Sequence, residues 1–167
     1  GVEPFAKVST PGMAQHPTDK NRVYIATYGT GAGGVSVTPD AGKTWQQLLM
    51  VEDNDYLRFL RIAPSDPNRI YVRSLRFGAD GNFVYSVFRS SDAGQQWERQ
   101  PDIAVHPNES DILLLGVSPK NPDLLIAMGE TTNPTAIPER LLVSRDGGKT
   151  FADALMTTVI TTIDWSP

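Results

Sequence analysis

Three aspartates in near-identical settings are the first candidates for chemistry. Asp40, Asp92 and Asp146 sit in the stretches Thr38-Pro39-Asp40-Ala41-Gly42-Lys43-Thr44-Trp45, Ser90-Ser91-Asp92-Ala93-Gly94-Gln95-Gln96-Trp97 and Ser144-Arg145-Asp146-Gly147-Gly148-Lys149-Thr150-Phe151. Three carboxylates could form a metal cage or an acid/base set. Each belongs to a different copy of one motif, however, so a role inside each copy is preferred. Further acids cluster at Glu52-Asp53-Asn54-Asp55, followed by Tyr56, and at His106, Glu109 and Asp111. Asp164 stands alone near the C-terminus. Arg58, Arg61, Arg73 and Arg76 could grip a carboxylate, because a guanidinium fork matches its geometry.

A turn must position each box aspartate. Asp with Gly two residues on is hairpin chemistry: the carboxylate accepts N–H groups across the turn and Gly takes a positive φ. The Ser or Thr hydroxyl closes a further local bond. The aromatic (Trp45, Trp97, Phe151) opens the next strand and packs beneath the turn. The structural set is therefore Thr38, Asp40, Gly42, Trp45; Ser90, Asp92, Gly94, Trp97; and Ser144, Asp146, Gly148, Phe151.

The boxes begin 52 (38 to 90) and 54 (90 to 144) residues apart. A second motif precedes each box: His16-Pro17-Thr18-Asp19-Lys20-Asn21-Arg22-Val23-Tyr24, then Ala63-Pro64-Ser65-Asp66-Pro67-Asn68-Arg69-Ile70-Tyr71, then Ser118-Pro119-Lys120-Asn121-Pro122-Asp123-Leu124-Leu125-Ile126. Its prolines fall at 17, 64, 119 and 167. A repeat of this period made of short strands predicts propeller blades. The fold expected is all-β, with three four-stranded antiparallel blades over residues 12–57, 58–111 and 112–157 and the inner strand of a fourth over 158–167. In each, the first strand ends at the Pro (12–16, 58–63, 112–118). The second strand follows a Pro/Asp/Asn turn (23–27, 70–74, 124–128). The third precedes the box (34–37, 84–89, 141–143), and the fourth starts at the aromatic (45–49, 97–100, 151–155). Residues 5–8 read as an outer strand of a preceding blade.

The boxes resemble the Asp-box, or BNR, repeat. The Pro-x-x-Pro-Asn-x-Ile-Tyr-Val prelude is similar to the long-repeat subgroup of sortilin-type domains, photosystem assembly factors of the Ycf48 kind and xyloglucanases. The resemblance implies a β-propeller with the box at the outer turn between third and fourth strands, away from the ligand face. Xyloglucanases carry a catalytic Asp in a motif resembling Arg-Thr-Asp-Val-Gly-Gly, and no such stretch occurs here. The Phe/Tyr-Arg-Ile-Pro motif of sialidases is also absent.

Propellers usually close with about four to eight blades. Three complete repeats predict either a piece of a longer propeller or a protomer that closes with further copies of itself. The first is preferred, because Pro167 falls inside a repeat. The expected function is a non-catalytic module binding protein or glycan. The alternative is a fragment of a glycoside hydrolase, xyloglucanase- or sialidase-like, with Asp164 its one channel-facing acid candidate. Variable loops at 28–33, 50–57, 75–83, 101–111 and 130–140 share one face, where function tends to sit. The ligand candidates there are Glu52, Asp53, Asp55, Tyr56, Arg58 and Arg76.

The chain has 167 residues and a formal net charge of −4, against a nucleic-acid partner. It has no cysteine, which excludes disulfides and thiolate metal sites. No cofactor or metal is expected. No apolar run reaches membrane-spanning length, and the expected location is secreted or periplasmic. Asn108-Glu109-Ser110 matches a glycosylation sequon.

Overall fold

A computed structural model describes residues 9–28, 33–52, 55–133 and 138–157. The strands predicted over 158–167 and 5–8, with Asp164 and Asp53, lie outside the described residues. Among the described residues, twelve strands form three antiparallel sheets, each a blade in which the strands follow chain order. Blade 1 holds β1 (Ser9–Gln15), β2 (Val23–Tyr28), β3 (Gly34–Thr38) and β4 (Gln46–Met50). Blade 2 holds β5 (Asp55–Ala63), β6 (Asp66–Phe77), β7 (Phe83–Ser90) and β8 (Glu98–Arg99). Blade 3 holds β9 (Glu109–Val117), β10 (Leu125–Thr131), β11 (Glu139–Ser144) and β12 (Ala152–Thr157). The first strands are neighbours, β1 against β5 and β5 against β9, so they line the inner side of an open arc of propeller blades.

Several boundaries differ from the sequence reading. The fourth strands begin one residue after the box aromatic, at Gln46, Glu98 and Ala152. Blade 2 reaches further into its loops than expected. Asp55, Tyr56 and Leu57 belong to β5, because Asp55 pairs with Arg76, Tyr56 with Leu75 and Leu57 with Ser74. Glu109 and Asp111 likewise belong to β9, opposite Thr131 and Glu130. Local polarity suggested loop at these points, but ladder pairing with the neighbouring strand overrides it.

Two apolar layers seal the blades. Tyr24, Ala26, Val35 and Val37 of blade 1 meet Leu57, Leu60, Ile70 and Val72 of blade 2. On the other side, Tyr71, Tyr85, Val87 and Ile103 meet Ile112, Leu114, Val117, Leu125, Ala127 and Leu142 of blade 3. Alternate residues of β6 thus enter different cores, and Ile70 to Ser74 form an unbroken buried run.

The three boxes make the β3–β4, β7–β8 and β11–β12 turns. In each, the hydroxyl of Thr38, Ser90 or Ser144 accepts the glycine N–H at 2.8 Å and donates to the aspartate at 2.8 Å. Each aspartate then accepts the N–H four residues on, at 2.8, 2.9 and 3.0 Å. Thr44 and Thr150 add hydroxyl bonds of 2.6 Å. The left-handed conformation covers two residues, Ala41 and Gly42, Ala93 and Gly94, Gly147 and Gly148. The N–H of the first donates to the carbonyl of Asn21, Asn68 or Asp123, which ties the box to the β1–β2 turn, the start of β6 or the β9–β10 turn of its own blade.

Hydrogen bonds from the Thr44 hydroxyl and N–H hold Asp40 down at about 2. For Asp146, burial works upward, but the bonds from Thr150 and Ser144 outweigh it and the value is again about 2. Asp92 is lowered, chiefly by the Gln96 N–H.

Candidate functional site

At the loop end of blades 1 and 2, aromatic side chains form a continuous row. Tyr28 closes β2, Tyr56 lies on β5, and Phe77 and Phe83 are cross-strand partners at the tip of the β6–β7 hairpin. Ring centroids are 5.3 Å apart for Tyr28–Tyr56, 6.3 Å for Tyr56–Phe77, 5.0 Å for Phe77–Phe83 and 6.5 Å for Phe83–Tyr85. Phe77 and Phe83 are each 49% exposed, although large apolar side chains gain about 1.5–3 kcal/mol from full burial. The hairpin is held by its turn. Asp80 accepts the Asn82 N–H at 3.1 Å, Gly78 donates to Asn82, and Gly81 takes a φ of 80°.

Beside this row, a cleft of about 360 Å³ opens between blades 1 and 2, lined by Met50, Val51, Glu52, Asp55, Arg76, Phe88 and Arg99. Arg99 lies across blade 2. It donates to Ser86 at 2.6 Å and to Ser74 at 3.3 Å, and pairs with Asp55. Its guanidinium stacks 4.5 Å from the Phe88 ring centroid. Ser74 also donates to Asp55. Small residues on β6 and β7 let one arginine reach from the fourth strand to the first. Arg76 pairs with Asp102 at 3.0 Å, while Glu52 is exposed.

The predicted ligand residues therefore separate. Glu52, Asp55 and Arg76 share the cleft, and Tyr56 joins the aromatic row. Arg58 lies elsewhere, 3.6 Å from Asp111 of blade 3. Arg73, wholly buried, reaches the same carboxylate at 2.9 Å. Its guanidinium sits between the rings of Phe59 and Tyr85, at 5.1 and 5.3 Å, and burial lowers its pKa. Phe59 itself has a φ of 56°, at a β-bulge between Arg58 and Arg61. Arg61 donates to the Leu115 carbonyl at 3.0 Å. Arg58 and Arg73 thus share Asp111 while Arg61 and Arg76 face other partners, and the four form no single clamp.

The second acidic group is also dispersed. Glu109 is buried against Arg140, which donates to both carboxylate oxygens at 2.8 Å and to Asp153 at 2.9 Å. Gly129 makes room, since a Cβ there would lie 1.9 Å from the Glu109 carboxylate. His106 is exposed and its N–H donates to Glu109. Sequence reasoning missed Arg99, Arg140, Phe77 and Phe83. The available signal for the phenylalanines was their symmetric placement around Gly78-Ala79-Asp80-Gly81-Asn82.

Comparison with known proteins gives the geometry a family. The model described as sortilin, neurotensin receptor 3 (Sortilin-Vps10) matches residues 33–167. A GH74 enzyme of Niastella koreensis superposes with a TM-score of 0.60 at 18% identity, over 87% of this chain and 22% of that one. The GH74 xyloglucanase from Xanthomonas campestris gives 0.58 at 18% identity, over 89% and 21%. YCF48 bound to D1 peptide gives 0.53 at 16% identity, over 88% and 41%. The chain therefore spans about a fifth of the length of either GH74 enzyme and under half of YCF48. No curated protein matches. The structural likenesses show a shared β-propeller fold, and the match over most of the sequence shows that this chain belongs to the Sortilin-Vps10 family.

Proposed function

We infer that this chain is a non-catalytic binding module, or part of one, that holds a protein or glycan segment on its loop face. The observation that carries this reading is the half-open row of Tyr28, Tyr56, Phe77 and Phe83. Rigid rings offer broad contact at low entropic cost, and stacking or edge contacts add about 0.5–1.5 kcal/mol each. Glu52 and Arg76 supply polar contacts at its side, with Asp53 next to Glu52 in sequence. Asp55 positions Arg99, and Arg58 serves the inner rim. The Asp-boxes act as folding staples. The remaining blades come from the rest of a longer propeller or from further copies, in a secreted or periplasmic setting.

The hydrolase alternative needs two opposed carboxylates flanking a scissile bond. The described inner-strand acids are otherwise engaged: Asp55 with Arg99, Glu109 with Arg140, and Asp111 with Arg73. Asp164 stays that reading's candidate. Glycan and peptide arrays probed with the wild-type chain and the Phe77→Ala/Phe83→Ala variant test the proposal. Ligand retention by the wild type, lost in the variant with unchanged circular dichroism, is expected. Release of reducing sugar from any glycan, abolished by Asp164→Asn, would favour the hydrolase instead.

A further inference from the structure

A second cleft lies on the opposite, box-bearing side of the molecule, where equivalent positions at the two seams differ. At the seam between blades 2 and 3, Arg69 pairs with Asp123 at 2.6 Å, and Tyr71 donates to the Pro122 carbonyl at 2.8 Å. Arg89 covers this corner and pairs with Glu98 at 2.8 Å. Two arginines and two acids thus neutralise one another.

One repeat earlier, the Arg–Tyr pair is kept as Arg22 and Tyr24, but its surroundings have changed. Val37 stands at the position of Arg89, Gln46 at that of Glu98, and Asn68 at that of Asp123. The corner opens into a cleft of about 460 Å³ between blades 1 and 2, with Arg22, Tyr24, Gln46 and Gln95 in its lining. Arg22 stands beside the Tyr24 hydroxyl, and among the described residues its acidic partner is the half-exposed Asp19 of its own turn, at 3.6 Å. Tyr24 reaches the Ala93 carbonyl at a long 3.4 Å. One arginine of the latch is retained as Arg22, while the other arginine and both acids are replaced by neutral side chains.

We propose that the cleft formed by Arg22, Tyr24, Gln46 and Gln95 binds a carboxylate from outside the chain, in the role Asp123 plays at the other seam. Arginine offers two parallel N–H groups suited to a carboxylate, and the glutamine amides donate to its remaining lone pairs. The Ala93 methyl, where the other seam has Gly147, holds the incoming group further out from the box. An exposed aspartate or glutamate of a partner and a free small carboxylate share this chemistry.

The test is an NMR titration of the ¹⁵N-labelled full chain with acetyl-Gly-Asp-Gly-amide, its Asn analogue, and sodium acetate. Saturable shifts clustered on Arg22, Gln46, Ala93 and Gln95 are expected with the Asp peptide, with the Asn peptide about tenfold or more weaker, a difference of about 1.4 kcal/mol. Acetate matching the peptide identifies a small-carboxylate site, and acetate binding more weakly identifies a side-chain site; both support the proposal. Arg22→Gln should weaken binding at least as much as the Asn peptide does. The variant Asn68→Asp/Ala93→Gly rebuilds the internal latch, so it should lose the peptide while melting no lower than wild type. Equal binding of the Asp and Asn peptides, or undiminished binding by either variant, overturns the proposal. So does an absence of saturable shifts at the cleft.

Discussion

The two seams come from one repeat and are sealed by different means. Between blades 1 and 2 the described contacts are mainly apolar, with the long Tyr24 bond as a polar crossing. Between blades 2 and 3 an apolar layer is joined by Arg69–Asp123, Arg73–Asp111, Tyr71 to Pro122, Tyr85 to Ser110 and Arg61 to Leu115. The boxes repeat almost bond for bond, and the seams do not. A turn that satisfies its own backbone is portable from copy to copy. A seam requires two blades to agree, so a change on either side can shift it between apolar and polar closure.

The largest expected effect comes from breaking the polar seam at its buried point. Asp111→Ala strands Arg73 without its counter-ion, and removing one partner of a buried pair costs about 3–5 kcal/mol; urea unfolding monitored by fluorescence checks this. Gly147→Ala should come next. It places a side chain at a φ of 72° with its Cβ 2.7 Å from Asp123, costing about 1–3 kcal/mol by overpacking. The mirror change at the other seam, Ala93→Gly, relieves a φ of 58° and should not destabilise. Equal melting of the two variants would remove the distinction between the seams.

Tyr71→Phe should cost about 1 kcal/mol, the usual net value of one hydrogen bond. Tyr24→Phe should cost measurably less, because its bond is 3.4 Å long. Paired denaturation curves decide this. The smallest effect is on acid stability. Asp40 and Asp146, at about 2, are depressed below the ordinary aspartate value near 4. Their contribution is fully present above about pH 4 and is lost as pH falls through about 2. Thr150→Val removes one of these supports, so it should move acid unfolding to higher pH than in wild type.

The blades were legible because their signals are local. Hydroxyl, carboxylate and accepting N–H groups of a box lie within a few residues, so spacing alone implies the turn. Strand ends were less legible: Asp55 reads as loop until its pairing with Arg76 across the sheet is known. The candidate site was legible in part. Glu52, Asp55 and Tyr56, close in sequence, lie at the cleft and the aromatic row, but their neighbour Arg99 arrives over Ser74 and Ser86 from a position 44 residues away from Asp55. The Tyr71 to Pro122 bond spans 51 residues, and no local pattern distinguishes this tyrosine from Tyr24.

The central strand β6 supplies Ile70 and Val72 to one core and Tyr71 to the other. Its middle amides are therefore shielded twice, and separating either outer blade uncovers only one flank. In hydrogen exchange, those amides should report global opening while the outer edges of blades 1 and 3 exchange through smaller excursions. Cooperativity in this array is thus concentrated in one strand that splices two otherwise separate interiors.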